Sequence, residues 1–145
     1  MKHENFDERQ LQIRGDAFRH GFLAAVFTLG INAVLNNFGI VWAEGFHQNI
    51  LILMLIVTIV SMEFILRGAY FGKDVKPGLI SGIFVGCSAC LIILNIKHFI
   101  DGEVYIENGM LARGGGSLIM CILVTINACT GLIQYFRNKN QERNG

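Results

Sequence analysis

The hydrophobic positions of this chain are bunched, not striped. Four apolar runs, at about 21–41, 49–66, 79–96 and 116–136, are separated by segments in which the charges collect. A soluble amphipathic helix repeats apolar residues every three to four positions, and a half-buried strand alternates them. These runs do neither, and each approaches the roughly 20 residues needed to cross the hydrocarbon core of a bilayer. The second run is rich in Ile, Val and Leu and would suit a buried strand by composition, but its length selects a helix. In lipid every run must be helical, because an unpaired backbone amide there costs several kcal/mol. The pattern predicts an all-α fold, a four-helix transmembrane bundle antiparallel in sequence order. A lead-in (1–20) precedes the four-span domain (21–136), and a polar tail (137–145) with nothing to fold follows it.

Composition supports a membrane class. Hydrophobic residues make up 52% of the 145, charged residues only 16%, and there is one proline. Mean hydropathy is +0.48. That balance excludes a disordered chain and argues against a soluble enzyme with a solvated surface. Of the 12 basic residues, all but Lys97 and Arg113 fall in the lead-in, the second connection or the tail. The positive-inside rule then predicts that both termini are cytoplasmic. Trp42, Tyr70, Tyr105 and Tyr135 lie near run ends, where interfacial aromatics are expected. The net charge of +1 gives no reason to expect nucleic acid. The first run could be taken for a signal peptide with a cleavage site near Val41-Trp42-Ala43. Its length and the acids ahead of it (Glu4, Asp7, Glu8, Asp16) favour an uncleaved span.

The lead-in itself predicts an amphipathic interfacial helix over 5–20. Asn5 is its expected cap, with Glu8 closing a capping box. Phe6, Ile13 and Ala17 share a face flanked by Leu11 and Phe18, and Gly15 and Gly21 offer hinges before the first span. Such a helix either anchors the span at the bilayer surface or docks a partner. Asp7-Glu8-Arg9-Gln10, followed by Leu11, Ile13, Arg14 and Gly15 ahead of an apolar span, resembles the opening of small multi-span bacterial membrane proteins of unknown function that share a D-E-R-Q/E lead-in. The resemblance implies a multi-pass protein of the bacterial cytoplasmic (inner) membrane and brings no catalytic residues.

Polar residues inside the runs are the candidate chemistry. Glu63 is the sole acid within a predicted span, and an intramembrane acid is a functional candidate by default. Small four-span multidrug exporters use such a carboxylate for proton coupling, but theirs lies in the first span and Glu63 lies in the second. Arg67, four residues on, offers the plainer account of an interfacial helical ion pair. Asn32 and Asn36 share a face of the first run. Asn127 in the fourth stands in Ile-Asn-Ala, echoing Ile31-Asn32-Ala33, so Asn32 and Asn127 would bond if those helices were neighbours. Together Glu63, Asn32, Asn36 and Asn127 are the candidates for a ligand or ion pathway.

All four cysteines fall within predicted spans. Cys87-Ser88-Ala89-Cys90 has redox or metal spacing, yet quinone-linked membrane thiol oxidants also need cysteines in an extracytoplasmic loop, and no loop here has one. A metal would require thiolates from several helices. The plainer reading is that Gly78, Gly82, Gly86 and Cys90 recur every four residues as a small-residue packing stripe. Between spans three and four, Asn108-Gly109 marks a turn for a short hairpin over 103–113; an irregular cap hinged at Gly114-Gly115-Gly116 is the alternative. His98 reads as interfacial.

The sequence therefore predicts no enzyme, no metal and no cofactor. It predicts an accessory or regulatory membrane protein that uses helix–helix contacts with itself or a larger membrane protein in the lipid bilayer. The alternative is a homodimeric transporter or channel using Glu63 and the asparagines.

Overall fold

The structure is a computed structural model that describes residues 7–69 and 77–144. Its elements are α1 (Glu8–Asn37), α2 (Gly45–Leu66), α3 (Pro77–Ile100), β1 (Ile106–Glu107), β2 (Met110–Leu111) and α4 (Arg113–Asn144). All four helices are long and apolar enough to cross a membrane, which makes this a multi-pass membrane protein by length and composition. Burial is inverted relative to a soluble domain. Phe22, Phe27, Phe46, Phe99 and Ile100 are exposed, whereas Gln48, Thr58, Ser81, Ser88, Asn127 and Gln134 are buried.

Several boundaries move from the sequence expectation. The lead-in is not a separate interfacial helix, because α1 is continuous from Glu8 through Asn37. Asn5 lies outside the described residues, as do Lys2, Lys73, Lys76 and Tyr70. The described helix is capped by Asp7, whose side chain accepts from Gln10 N at 2.7 Å, and Gln10 closes the box. Gly15 and Gly21 are helical and do not hinge. A Cβ at Gly21 would collide with the Val60 side chain, so this glycine serves the close approach of α1 to α2. The first span ends at Asn37, short of the expected 41, where Gly39 adopts φ +74°. At the other extreme α4 runs through the supposedly unfolded tail to Asn144.

Packing order also differs from sequence order. α1 packs on α2, α2 on α4 and α4 on α3. The contacts define the directions. Along α1 and α2, Phe18 meets Phe64 and Asn36 meets Gln48, so these helices are antiparallel. Ser81, Ser88 and Asn95 of α3 meet Gly131, Thr125 and Ser117 of α4 in reversed order, again antiparallel. His47 and Thr58 of α2 meet Gly116 and Asn127 of α4 in the same order, so the central pair is parallel. Successive helices thus alternate in direction, as the sequence predicts, but α2 packs on α4 so that two helical hairpins are joined through a parallel central pair. The physical reason lies in α4, which carries polar or small residues on two faces and satisfies each against a different helix.

At the end opposite the chain termini, β1 and β2 form the expected hairpin, pairing Ile106 with Leu111 and Glu107 with Met110. Asn108 (φ +50°) and Gly109 (φ +77°) both occupy the left-handed region, as a type I′ turn demands. Leu111 N donates to Trp42 O at 2.8 Å, tying the hairpin to the α1–α2 connection. Gly114, Gly115 and Gly116 are not a hinge. They form the first turn of α4 and are buried, and a Cβ on Gly116 would lie 2.6 Å from His47 Cδ2.

Candidate functional site

The buried polar residues assemble into seams between helices. Ser81, Ser88 and Asn95 recur every seven residues, which keeps them on one face of α3. Ser81 Oγ donates to Gly131 O at 3.3 Å, and Asn95 Nδ2 to Leu91 O at 2.9 Å and Ser117 O at 3.4 Å. Thr125 Oγ1 donates to Cys121 O of its own helix at 2.8 Å. A hydroxyl has one proton to give, so in the 2.8 Å contact between Ser88 Oγ and Thr125 Oγ1 it is Ser88 that donates. Between α2 and α4, Asn127 Nδ2 donates to Thr58 Oγ1 at 3.3 Å, while Asn127 Oδ1 is buried without a partner among the described residues. Each bond of this kind contributes about 0.6–2 kcal/mol in a membrane protein, so together they select partners more than they drive association.

Glu63 belongs to a different assembly, at the end where α1 begins and α4 ends. Arg67 Nη1 donates to Glu63 Oε1 at 2.7 Å, as the four-residue spacing predicts. His20 Nδ1 lies 2.8 Å from the other carboxylate oxygen, and Arg67 also approaches Asp16 at 3.6 Å. Both oxygens of Glu63 are therefore engaged, and its side chain is 18% exposed. Next to this cluster the Arg14 guanidinium lies 5.0 Å from the Phe64 ring centroid and donates to Ala69 O at 3.2 Å. His20 and Arg14 were missed in the sequence. Because α1 is one continuous helix, its lead-in packs along the end of α2, and a reading that separates the lead-in from the span cannot bring these residues together.

The asparagines do not converge with Glu63. Asn32 Oδ1 accepts from Trp42 Nε1 at 2.7 Å, and Asn36 Oδ1 accepts from Gln48 Nε2 at 3.4 Å. Asn127 meets Thr58, not Asn32, since α4 packs on α2 and α3. Trp42 is thus folded back onto α1 and not simply an interfacial ring. Beneath it a cavity of about 340 Å³ opens among α1, α2 and α4, lined by Thr28, Asn32, Trp42, Leu51, Leu55 and Leu123. Its walls are almost wholly apolar, suited to a stretch of hydrocarbon chain.

Beyond Gly78, the small-residue stripe of α3 does not face α4. Gly78 alone meets α4, where an added Cβ would lie 3.3 Å from Tyr135. A Cβ added to Gly82 or Gly86 would meet nothing from another described element within 4 Å, and Cys90 is exposed. Helix geometry explains this. An i+4 row drifts about 40° around the axis at each step. Gly86 and Cys90, two residues either side of Ser88, lie on the face opposite the Ser81–Ser88–Asn95 seam. Cys87 and Cys129 are exposed, Cys121 is buried, and all four thiols are free. Among the described residues no three His, Cys, Asp or Glu side chains gather where they could hold a metal ion. At the hairpin end His98 Nδ1 pairs with Glu103 Oε1 at 2.8 Å.

No protein-family model and no solved structure matches the chain. The likeness of residues 7–15 to the D-E-R-Q/E lead-in proteins therefore stands on those residues alone. What the arrangement offers chemically is hydrogen-bonded helix pairing, an apolar cavity under Trp42, and a charged cluster at the end bearing the termini.

Proposed function

We propose that this is a small accessory or regulatory membrane protein that acts through helix–helix contacts with itself or a larger membrane protein. The observation that carries the reading is the outer face of α3. A Cβ added to Gly82 or Gly86 would meet no other part of the described structure within 4 Å, and Cys90 beside them is exposed. A small-residue face turned to lipid lets another helix approach closely enough for dense backbone packing and weak Cα–H hydrogen bonds. The distribution of Lys and Arg supports placing both termini in the cytoplasm. The lead-in likeness supports a bacterial cytoplasmic membrane.

Native Cys90 makes the test direct. A variant retaining only Cys90, oxidised in its own membrane, is expected to give a disulfide-linked adduct with a second copy or with one other membrane protein. Native mass spectrometry after gentle extraction should show the same stoichiometry. A monomer in both experiments would overturn the reading.

A homodimeric transporter or channel is the second reading, and it draws on Asn127 Oδ1, a buried acceptor without a partner beside Thr58. Glu63 is held apart from that position by His20 and Arg67. Flux in liposomes that depends on a proton gradient and disappears in Glu63→Gln would favour this reading over the first.

A further inference from the structure

We infer that the terminal end of the bundle carries a binding site for a phosphate oxyanion, built by arginines from three helices. A cavity of about 410 Å³ opens there among α1, the end of α2 and α4. Arg9, Arg67 and Arg137 line it, together with Asp16, Gln12 and Gln134. The volume far exceeds the roughly 30 Å³ that one water occupies in the liquid, leaving room for a phosphate group with part of its hydration.

Three features distinguish this cavity from a general scatter of basic residues at a membrane surface. The first is convergence. Positions 9, 67 and 137 are remote in sequence, and only the packing of α1 against α2 and α2 against α4 brings them to one cavity. The second is charge that the protein leaves unspent. Arg67 is shared between Glu63 and Asp16, whereas Arg9 and Arg137 make no ion pair among the described residues. Three guanidiniums against Asp16 leave the lining with positive charge even after Arg67 is discounted. The third is the buried wall. Gln134 is 6% exposed, and among the described residues its side-chain nitrogen reaches only Asn138 Oδ1, at 3.4 Å.

The chemistry favours phosphate over a lone carboxylate. A guanidinium presents a rigid fork of N–H donors that matches two oxygens of a phosphate, and several forks can share its oxygens. Depth agrees with this. Arg67 directly follows the last residue of α2, and Arg137 stands beyond the apolar part of α4. Both guanidiniums are therefore carried to the level where the polar headgroups begin, and basic pockets between helices at that level suit anionic headgroups. Ile13 and Leu66 in the same lining offer apolar contact to a chain attached to the phosphate. The phosphate can belong to an anionic lipid or to a soluble phosphate ester, and the experiment separates these sources.

The full-length protein would be placed in nanodiscs of phosphatidylcholine alone or with phosphatidylglycerol. Retained lipid would be read by native mass spectrometry, and inorganic phosphate binding by ³¹P NMR in the phosphatidylcholine discs. The double variant Arg9→Gln/Arg137→Gln would be compared with Lys97→Gln/Arg113→Gln, which removes the same charge from the opposite end. Retention of phosphatidylglycerol that falls about tenfold or more only in the first variant supports the site with lipid as its source. Saturable phosphate binding in phosphatidylcholine discs, lost only in the first variant, supports it with a soluble source. Equal losses in both variants would reveal a diffuse charge effect and overturn the proposal. So would retention and phosphate binding unchanged in the first variant. Circular dichroism matching the wild type keeps a loss from being a folding failure. If Arg9→Gln/Arg137→Gln does not fold, Arg137→Lys replaces it. That variant keeps the charge without the fork and is expected to lose affinity by a smaller factor; undiminished affinity there would count against the site.

Discussion

The two helical hairpins of this protein hold themselves together by different chemistry. The α3–α4 seam is neutral and distributed, with Ser81, Ser88 and Asn95 meeting α4 at intervals along its length. The α1–α2 seam is graded. It has the Val60 side chain seated tightly against Gly21, aromatic and ionic contacts at the terminal end, and one amide pair, Asn36–Gln48, at the hairpin end. In lipid, apolar contact between helices brings no hydrophobic gain, so packing and hydrogen bonds must select the partner. Neutral hydroxyls can do this at any depth, because a carbonyl of their own helix, as Cys121 O does for Thr125, satisfies them before and after association. The ion pairs that join α1 to the end of α2 lie at one end of the seam, where water and headgroups lower the cost of ionisation. Each seam therefore uses the polar chemistry that its depth tolerates.

The largest expected effect comes from breaking the tight point of the graded seam. Gly21→Leu would thrust a side chain into Val60 and force α1 away from α2, with overpacking expected to destabilise the fold by about 3 kcal/mol. Unfolding in bicelles would measure it. A change under about 1 kcal/mol would mean that the approach is loose and that glycine is incidental there. Next in size is Glu63→Gln, expected to cost about 1 kcal/mol through the lost charge opposite Arg67. Arg67 is 44% exposed, so added salt should shrink the difference. A salt-independent loss would place the cluster deeper in hydrocarbon than the seam comparison allows. On the neutral side, a double-mutant cycle on Ser88→Ala and Thr125→Val should give a coupling of about 0.6 kcal/mol, unchanged by salt. A coupling above about 2 kcal/mol would show that the neutral seam drives association as well as choosing the partner.

How much of this was legible in the sequence follows from which interactions are local. The four spans were visible because hydrocarbon thickness sets their length, and the Asn108-Gly109 turn because both positions require positive φ. The Glu63–Arg67 pair follows from helix geometry alone. The row order α1–α2–α4–α3 was not visible, since it rests on Thr58 meeting Asn127 across two helices, and no run length records that. An Asn32–Asn127 bond required α1 and α4 to be neighbours; α4 packs on α2 and α3 instead, and a short connection folds Trp42 back over α1 to meet Asn32. One signal was present and unread. Ser81, Ser88 and Asn95 form a seven-residue polar repeat within the same run as the four-residue glycine repeat, and the seven-residue repeat is the one that faces α4. The continuity of α1 was hidden by its own charges, which suggest a break where the structure has one continuous helix.

The smallest expected effect is the most informative about function. Gly86 lies on the far side of α3 from the seam, and a Cβ there would meet nothing from another described element within 4 Å. Gly86→Leu should therefore leave the stability of the isolated chain within about 0.5 kcal/mol, the range of surface changes that touch nothing. A helical Leu is also intrinsically better than Gly by somewhat less than 1 kcal/mol, so any shift should be toward stability. The neutral seam predicts this indifference because it keeps α3 attached to α4 through the opposite face. If the outer face receives another helix, the same substitution should sharply reduce the Cys90 adduct in the membrane while unfolding of the isolated chain stays unchanged. Adduct and stability falling together would mean that Gly86 supports the fold itself, and the division of α3 into an inner seam and an outer contact face would fail. Both staying unchanged would leave α3 facing lipid alone.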